Sequence, residues 1–184
     1  MTAYAAAVVR DTRNWLEHAV IGLNLCPFAK AVLVKGQIHF AVSGASEPQG
    51  LLEDLAAELD ALVELEPSVR ETTLLMAPRC LGEFLEFNAF IAQAGRMLRK
   101  RGLEGTIQLA SFHPGYQFAG TAGGDVTNCT NRSPYPTLHL LREASIARAI
   151  QAFPRPETIY EANMQTLRAL GPEGWAALAV GPSA

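Results

Sequence analysis

From Gln37 to Phe112 the chain alternates short β-branched or apolar runs with long segments of helical periodicity, an order that admits few folds. Gln37–Val42 reads as a strand. Glu71–Met76 (ETTLLM), bounded by Pro67 and Pro78, reads as a second, and Thr106–Phe112 (TIQLASF) as a third. Between the first two, Ser46 with Gln49 three residues on and Pro48 between them signals a capped helix running to about Leu65. Between the second and third, Leu81–Arg101 sets Phe84, Phe87, Phe90, Ile91 and Leu98 on one apolar face, and Gly102 and Gly105 close it. The result is a βαβαβ unit, with parallel neighbours if both crossovers return on the same side of the sheet. Spacing does not fix strand order, so an antiparallel α/β sandwich is the alternative. Tyr4–Leu23 has helical spacing, and Asn24–Phe28 interrupts it, with Pro27 suited to start a further turn. Leu138–Phe153 and Pro156–Leu170 are predicted helices, the last ended by Gly171-Pro172. The expected fold is α/β: a single compact domain over residues 1–184, with a small central sheet, flanking helices and C-terminal helices.

Composition narrows the partners. The 184 residues suffice for one domain with a sizeable core and are few for two. Hydrophobic residues at 49% and charged residues at 18% exclude a disordered chain. A net charge of -3 argues against nucleic acid, which selects a basic stripe. The one basic cluster, Arg96, Arg99, Lys100 and Arg101, falls at a predicted helix end, where cations complement the dipole. Three cysteines with no C-x-x-C pair fit a reducing compartment. Arg10, Asp11 and Arg13 fall where a signal peptide needs its apolar core, and no run is apolar enough to span a bilayer. A cytoplasmic location without a membrane partner is expected, and there the formal glycosylation sequence Asn128-Cys129-Thr130 carries no meaning.

Chemistry concentrates between Ser111 and Glu143, a polar stretch rich in Gly, Pro and Asn that is long for a connection. Phe112, Tyr116, Phe118 and Tyr135 interleave it, which argues for an ordered loop. It leaves the carboxyl end of the third strand, where open α/β sheets bind ligands. His139 and Glu143 lie four apart on a predicted helix and so share a face, and His113 follows the strand. Two imidazoles and a carboxylate are the ligand set of many non-haem iron sites and some zinc sites, with Asp125 as an alternative acid. No compact signature such as H-E-x-x-H supports the set. The bland alternative is a buried, hydrogen-bonded His139 beside a surface Glu143.

Ser133 and Pro134 suit the cap and first residue of that helix, whose free N–H groups, with Arg132, would hold an anion. Arg142 offers a second guanidinium for a carboxylate or phosphate, unless it pairs with Asp125 or Glu143 and ties the loop down. Asn128 and Asn131 would brace the loop or touch a ligand. Cys26, just before Pro27 near a helix start, is a candidate nucleophile served by His113 or His139. Cysteine is also among the residues most often packed inside. The second cysteine of a thioredoxin-like motif is absent, position 29 being Ala, and Gly115, Gly120, Gly123 and Gly124 lack the Lys-Ser/Thr ending of a phosphate loop.

Taken together, NLCPFAK at Asn24–Lys30, ETTLLMAP at Glu71–Pro78, and IQLASFHPGYQFAGT followed by NRSPYPTLHLLRE resemble one bacterial family of about this length. It is catalogued as domain of unknown function fourteen-fifteen. The likeness runs from near Trp15 to the last helix and implies one compact domain. It implies no catalytic residue.

Three readings follow. In the first, a small enzyme acts on a small anionic metabolite by metal-assisted oxidation or hydrolysis. His113, His139 and Glu143 bind iron or zinc, Asn131, Arg132, Ser133 and Arg142 hold the substrate, and Tyr116 or Asp125 moves protons. In the second, the metal is absent and Cys26 is the nucleophile with a histidine as base. The third is a non-catalytic ligand-binding or interaction domain, a homo-oligomer whose Phe84, Phe87 and Phe90 serve an interface as well as the core.

Overall fold

The computed structural model describes residues 2–152 and 158–183. Helix α1 spans Ala3–Trp15, its start capped by Thr2, whose hydroxyl oxygen accepts the Ala5 N–H at 3.2 Å. The helix continues without a break as a π-helical segment, Leu16–Ile21. Asn24, in the left-handed region at φ 54°, turns the chain away from it. A short helix α2 (Ala29–Val34) leads to strand β1 (Ile38–Val42). Helix α3 (Pro48–Glu64), strand β2 (Thr72–Met76), helix α4 (Phe84–Lys100) and strand β3 (Ile107–Phe112) follow. The predicted alternation is therefore present, with two adjusted helix starts. Glu47, not Ser46, stands at the cap of α3, with Pro48 in the first turn. Helix α4 starts at Phe84 rather than Leu81, because Leu81 sits at φ 58°, outside helical space.

The larger departure is strand β4 (Thr137–Arg142), which occupies the segment expected to open a helix; helix α5 (Glu143–Ala152) begins only afterwards. Leu138 and Leu140 are fully buried on one side of β4, while Thr137, His139 and Leu141 alternate onto the other. Leu138, Leu141 and Ala144 also fit helical spacing, so TLHLLRE satisfies both periods until long-range pairing selects one. The predicted helix end at Phe153 and the start at Pro156 lie outside the described residues. Helix α6 (Ile159–Ala177) includes a break at Gly171, φ 70°, after which Pro172 starts a new helical stretch.

The sheet order is β1-β2-β4-β3. β1 and β2 are parallel, with Phe40 opposite Leu74. β4 is antiparallel to both its neighbours, with His139 opposite Leu74 on β2 and Ala110 on β3. β1, β2 and β3 thus share a direction, as the crossovers require, but β4 is inserted between the second and third. Strand order, which spacing left open, is set by the return of the chain through the long loop.

Helices cover both faces. On one side Leu51, Leu55, Leu59 and Leu62 of α3 and Phe87, Phe90, Ala94 and Leu98 of α4 pack on Leu75, Ile107, Leu138 and Leu140. Burying such side chains contributes roughly 1.5–3 kcal/mol each. Phe87 and Phe90 are inside this core and are not available to an interface; Phe84 is partly covered by the loop. On the other side Val8 of α1 meets Leu74 and Met76, and Trp15, Leu16 and Val20 gather Phe40, Cys26 and Phe112. Among the described residues no helix is long and apolar enough to cross a membrane.

Candidate functional site

The carboxyl ends of β1, β2 and β3 and the start of β4 meet at one edge of the sheet, and residues 113–136 fold over it. His113 enters the loop nearly inaccessible, at 1% exposure. Its backbone N–H donates to the Asn131 carbonyl at 3.1 Å. Nδ1 accepts the Gly115 N–H at 2.9 Å, and Nε2 lies 3.1 Å from the Leu81 carbonyl. A backbone N–H only donates and a carbonyl only accepts, so the ring is neutral and protonated on Nε2. Burial agrees, holding this imidazole below its ordinary pKa against the opposing effects of Leu81, Glu83 and Gly82. Both nitrogens are committed to the main chain.

The rest of the loop is bonded in the same inward manner. Asn128, fully buried, accepts the Phe118 N–H at 3.0 Å and the Thr121 hydroxyl at 2.8 Å, and donates to the Ala122 carbonyl at 2.9 Å. Arg132 donates to the carbonyls of Tyr116 (3.2 Å) and Gly123 (2.7 Å). Asp125 caps the 3-10 helix Val126–Asn131 through the Thr127 N–H and hydroxyl, and those two bonds pull its carboxyl below the usual range. Asn131 donates to the Ser111 carbonyl at 3.4 Å. Ser133 donates to the Tyr135 carbonyl at 2.6 Å and precedes a strand, so the anion site expected at a helix start there does not form. Tyr116 meets Phe84 at 5.1 Å in a tilted contact and Phe118 at 5.0 Å edge-on.

His113, Tyr116, Asp125, Asn131, Arg132 and Ser133 are thus gathered at one edge. Arg142 and Glu143 are not. Phe112 pairs with Thr137, whereas Ile107 pairs with Arg142, so Glu143 and His113 are separated by the length of β4. Five residues of strand span about 17 Å. His113, His139 and Glu143 therefore do not share one ion, because metal–ligand bonds are near 2 Å. Among the described residues no group of three or more His, Cys, Asp or Glu side chains could hold a metal. Arg142 donates to the carbonyls of Leu62, Leu65 and Arg70, joining the end of α3 to the sheet. It pairs with neither Asp125 nor Glu143.

His139 is the exception to this internal satisfaction. It lies on the α1 side of β4, its ring 6.1 Å from Phe112, which in turn meets Trp15 at 5.2 Å. Nε2 is 2.7 Å from the Thr72 hydroxyl, and that hydroxyl donates its proton to the Leu140 carbonyl at 2.6 Å. Thr72 has one proton, so Nε2–H of His139 must be the donor and Nδ1 carries the lone pair. Nδ1 has no hydrogen-bond partner among the described residues. Burial pushes this imidazole down to about 4, so it is neutral at neutral pH.

This chain belongs to the family described as "Protein of unknown function (DUF1415)", which it matches over residues 7–177. No curated protein and no solved structure matches the chain. The match takes in β4, the long loop and the Cys26 turn alike, so every group described above lies within the shared region.

Cys26 of this DUF1415 chain borders the same apolar cluster as Phe112 and Trp15. Burial raises its thiol pKa, although the N–H groups of Phe28 and Ala29 are directed at the sulfur and oppose the rise. Cys80 and Cys129 are buried more completely and their thiols are also raised, first by burial. No hydrogen bond joins Cys26 to His139 among the described residues. Thr72 escaped the sequence reading. Its signal was faint: a hydroxyl in a strand that is otherwise wholly interior.

Proposed function

We propose that the protein is a small-molecule enzyme that works without a metal, with Cys26 as nucleophile and His139 as proton acceptor. The observation that carries this reading is the open Nδ1 lone pair of His139. Among the described residues no buried side-chain nitrogen or oxygen lacks a partner, so this unpaired nitrogen reaches solvent and is open to a substrate's proton. Thr72 fixes which nitrogen is open, the orienting role that a neighbouring hydrogen bond plays for catalytic imidazoles. Phe112 borders the same apolar cluster as Cys26, and its ring lies 6.1 Å from that of His139. A substrate lying over Phe112 would have to reach both the thiol and the imidazole.

Both groups rest uncharged, so the thiol is not a preformed thiolate. The sulfur adds to an electrophilic carbon of the substrate, the electron pair of that carbon's π bond moves to its heteroatom, and the thiol proton passes to Nδ1, while the Phe28 and Ala29 N–H groups stabilise negative charge developing on sulfur. Arg132, Arg142, Asp125 and His113 then keep the scaffold in shape, and a small anionic substrate is held by other groups. Three free thiols fit a reducing cytoplasm as the setting.

Iodoacetamide labelling of the folded protein, read residue by residue by peptide mass spectrometry, tests this. Cys26 is expected to react while Cys80 and Cys129 stay protected, with a rate that climbs above pH 9. If Cys26 stays unmodified wherever the fold persists, the thiol reading is wrong. A non-catalytic ligand-binding domain then takes its place. That second reading is favoured by the loop, whose polar side chains face its own backbone.

A further inference from the structure

A second feature lies away from the thiol site and does not depend on it. Gln93, Arg96, Met97 and Lys100 of α4, at helical spacing, and Arg101 just past its end line a cleft of about 410 Å³ with Leu52 of α3. Arg99 turns elsewhere, to Glu104 at 3.7 Å, and Arg101 pairs with Asp60. Arg96 and Lys100 have no carboxylate partner among the described residues. They stand four apart on one helix face, where like charges repel. The helix dipole accounts for cations in the last turn, Arg99 and Lys100, but Arg96 is a turn further in. Among the described residues no acidic side chain lines this cleft. The acids are next door, where Asp60 and Glu64 line a neighbouring cleft of about 380 Å³ with Val63, Leu103 and the same Arg101.

We propose that the α3–α4 cleft binds a small polyanion, a phosphate ester or a di- or tricarboxylate, on Arg96, Lys100 and Arg101. Guanidinium groups offer paired N–H donors to either anion, Gln93 adds an amide, and Leu52 and Met97 accept an apolar portion. Asp60 is a built-in competitor. It holds Arg101 at the boundary between the clefts, and a ligand must draw that guanidinium away from it.

Isothermal titration calorimetry at low ionic strength, with pyrophosphate and citrate as probes and acetate as a monoanion control, decides the matter. The wild type is expected to bind one polyanion saturably and acetate not at all. The Arg96→Gln/Lys100→Gln double variant, its fold checked by circular dichroism, should weaken that binding tenfold or more, as loss of two charge-assisted contacts implies. Asp60→Asn should tighten it a few-fold by releasing Arg101. Equal affinity in the double variant, or no saturable binding by either probe, overturns the site. Unchanged affinity in Asp60→Asn overturns the competition.

Discussion

The Thr72 hydroxyl stands 2.7 Å from His139 Nε2 and gives its own proton to the Leu140 carbonyl, so one threonine sets the tautomer of the imidazole facing it. Thr72→Val keeps the shape and removes both bonds. The expected stability loss is about 1–3 kcal/mol, because Nε2–H and the Leu140 carbonyl each lose a partner. Nitrogen NMR spectra should show a mixture of imidazole tautomers. A single unchanged tautomer would show that Thr72 does not set it.

Acid should destabilise the fold earlier than carboxylates alone would. The folded pKa of His139 is about 4 against an unfolded value of 6.5, so the unfolded chain takes up the proton first. The stability of the neutral form is complete above the unfolded value and declines as pH falls from 6.5 towards 4. The integrated loss is about 3 kcal/mol from this residue, and His113, also lowered by burial, adds in the same direction. Urea titrations across that range should show the slope, and His139→Gln should flatten it.

Removing Arg142 should unfold rather than inactivate. Three carbonyls, of Leu62, Leu65 and Arg70, depend on its guanidinium. Arg142→Met is expected to cost about 2–4 kcal/mol in chemical denaturation, and Arg142→Lys to recover only part, since an ammonium lacks the planar fork. A variant as stable as the wild type would restore Arg142 as a candidate ligand-binding residue.

The long loop should depend on Asn128 in the same way. Asn128→Ala strips acceptors from the Phe118 N–H and the Thr121 hydroxyl and the donor from the Ala122 carbonyl. Proteolytic cleavage in the segment 117–124 should accelerate about tenfold or more, the consequence of losing about 1.4 kcal/mol or more of local stability.

Because His113 and Glu143 lie at opposite ends of β4, chelation should leave the protein unaltered. Exhaustive EDTA treatment is expected to leave the melting temperature and Cys26 labelling unchanged. Near-stoichiometric zinc or iron lost with stability would contradict that geometry.

Much of the frame was legible because local pattern and final structure agree. The breaks at Pro67, Pro78 and Gly102 bound real elements, and the leucines of α3 at three- and four-residue spacing are its buried stripe. β4 was not legible, since TLHLLRE fits a helix and a strand equally and its neighbours are far away in sequence. That one ambiguity put His139 and Glu143 together. Reading His139 and Glu143 on a helix puts them on one face, whereas on a strand His139 meets Thr72, and Glu143 starts the next helix. The loop was legible as an ordered segment, but not as one whose arginine, asparagines and aspartate close on its own backbone. Residue type shows what a group can bond, and only the fold shows which bonds are already made.

Nitrogen-15 NMR of histidine-labelled protein followed from pH 3.5 to 8 measures directly whether His139 is neutral with a free Nδ1. A proton on Nε2, an unprotonated Nδ1 and titration at about 4 are expected. An ordinary titration near 6.5, or a proton on Nδ1 at neutral pH, would rule out this state of the ring.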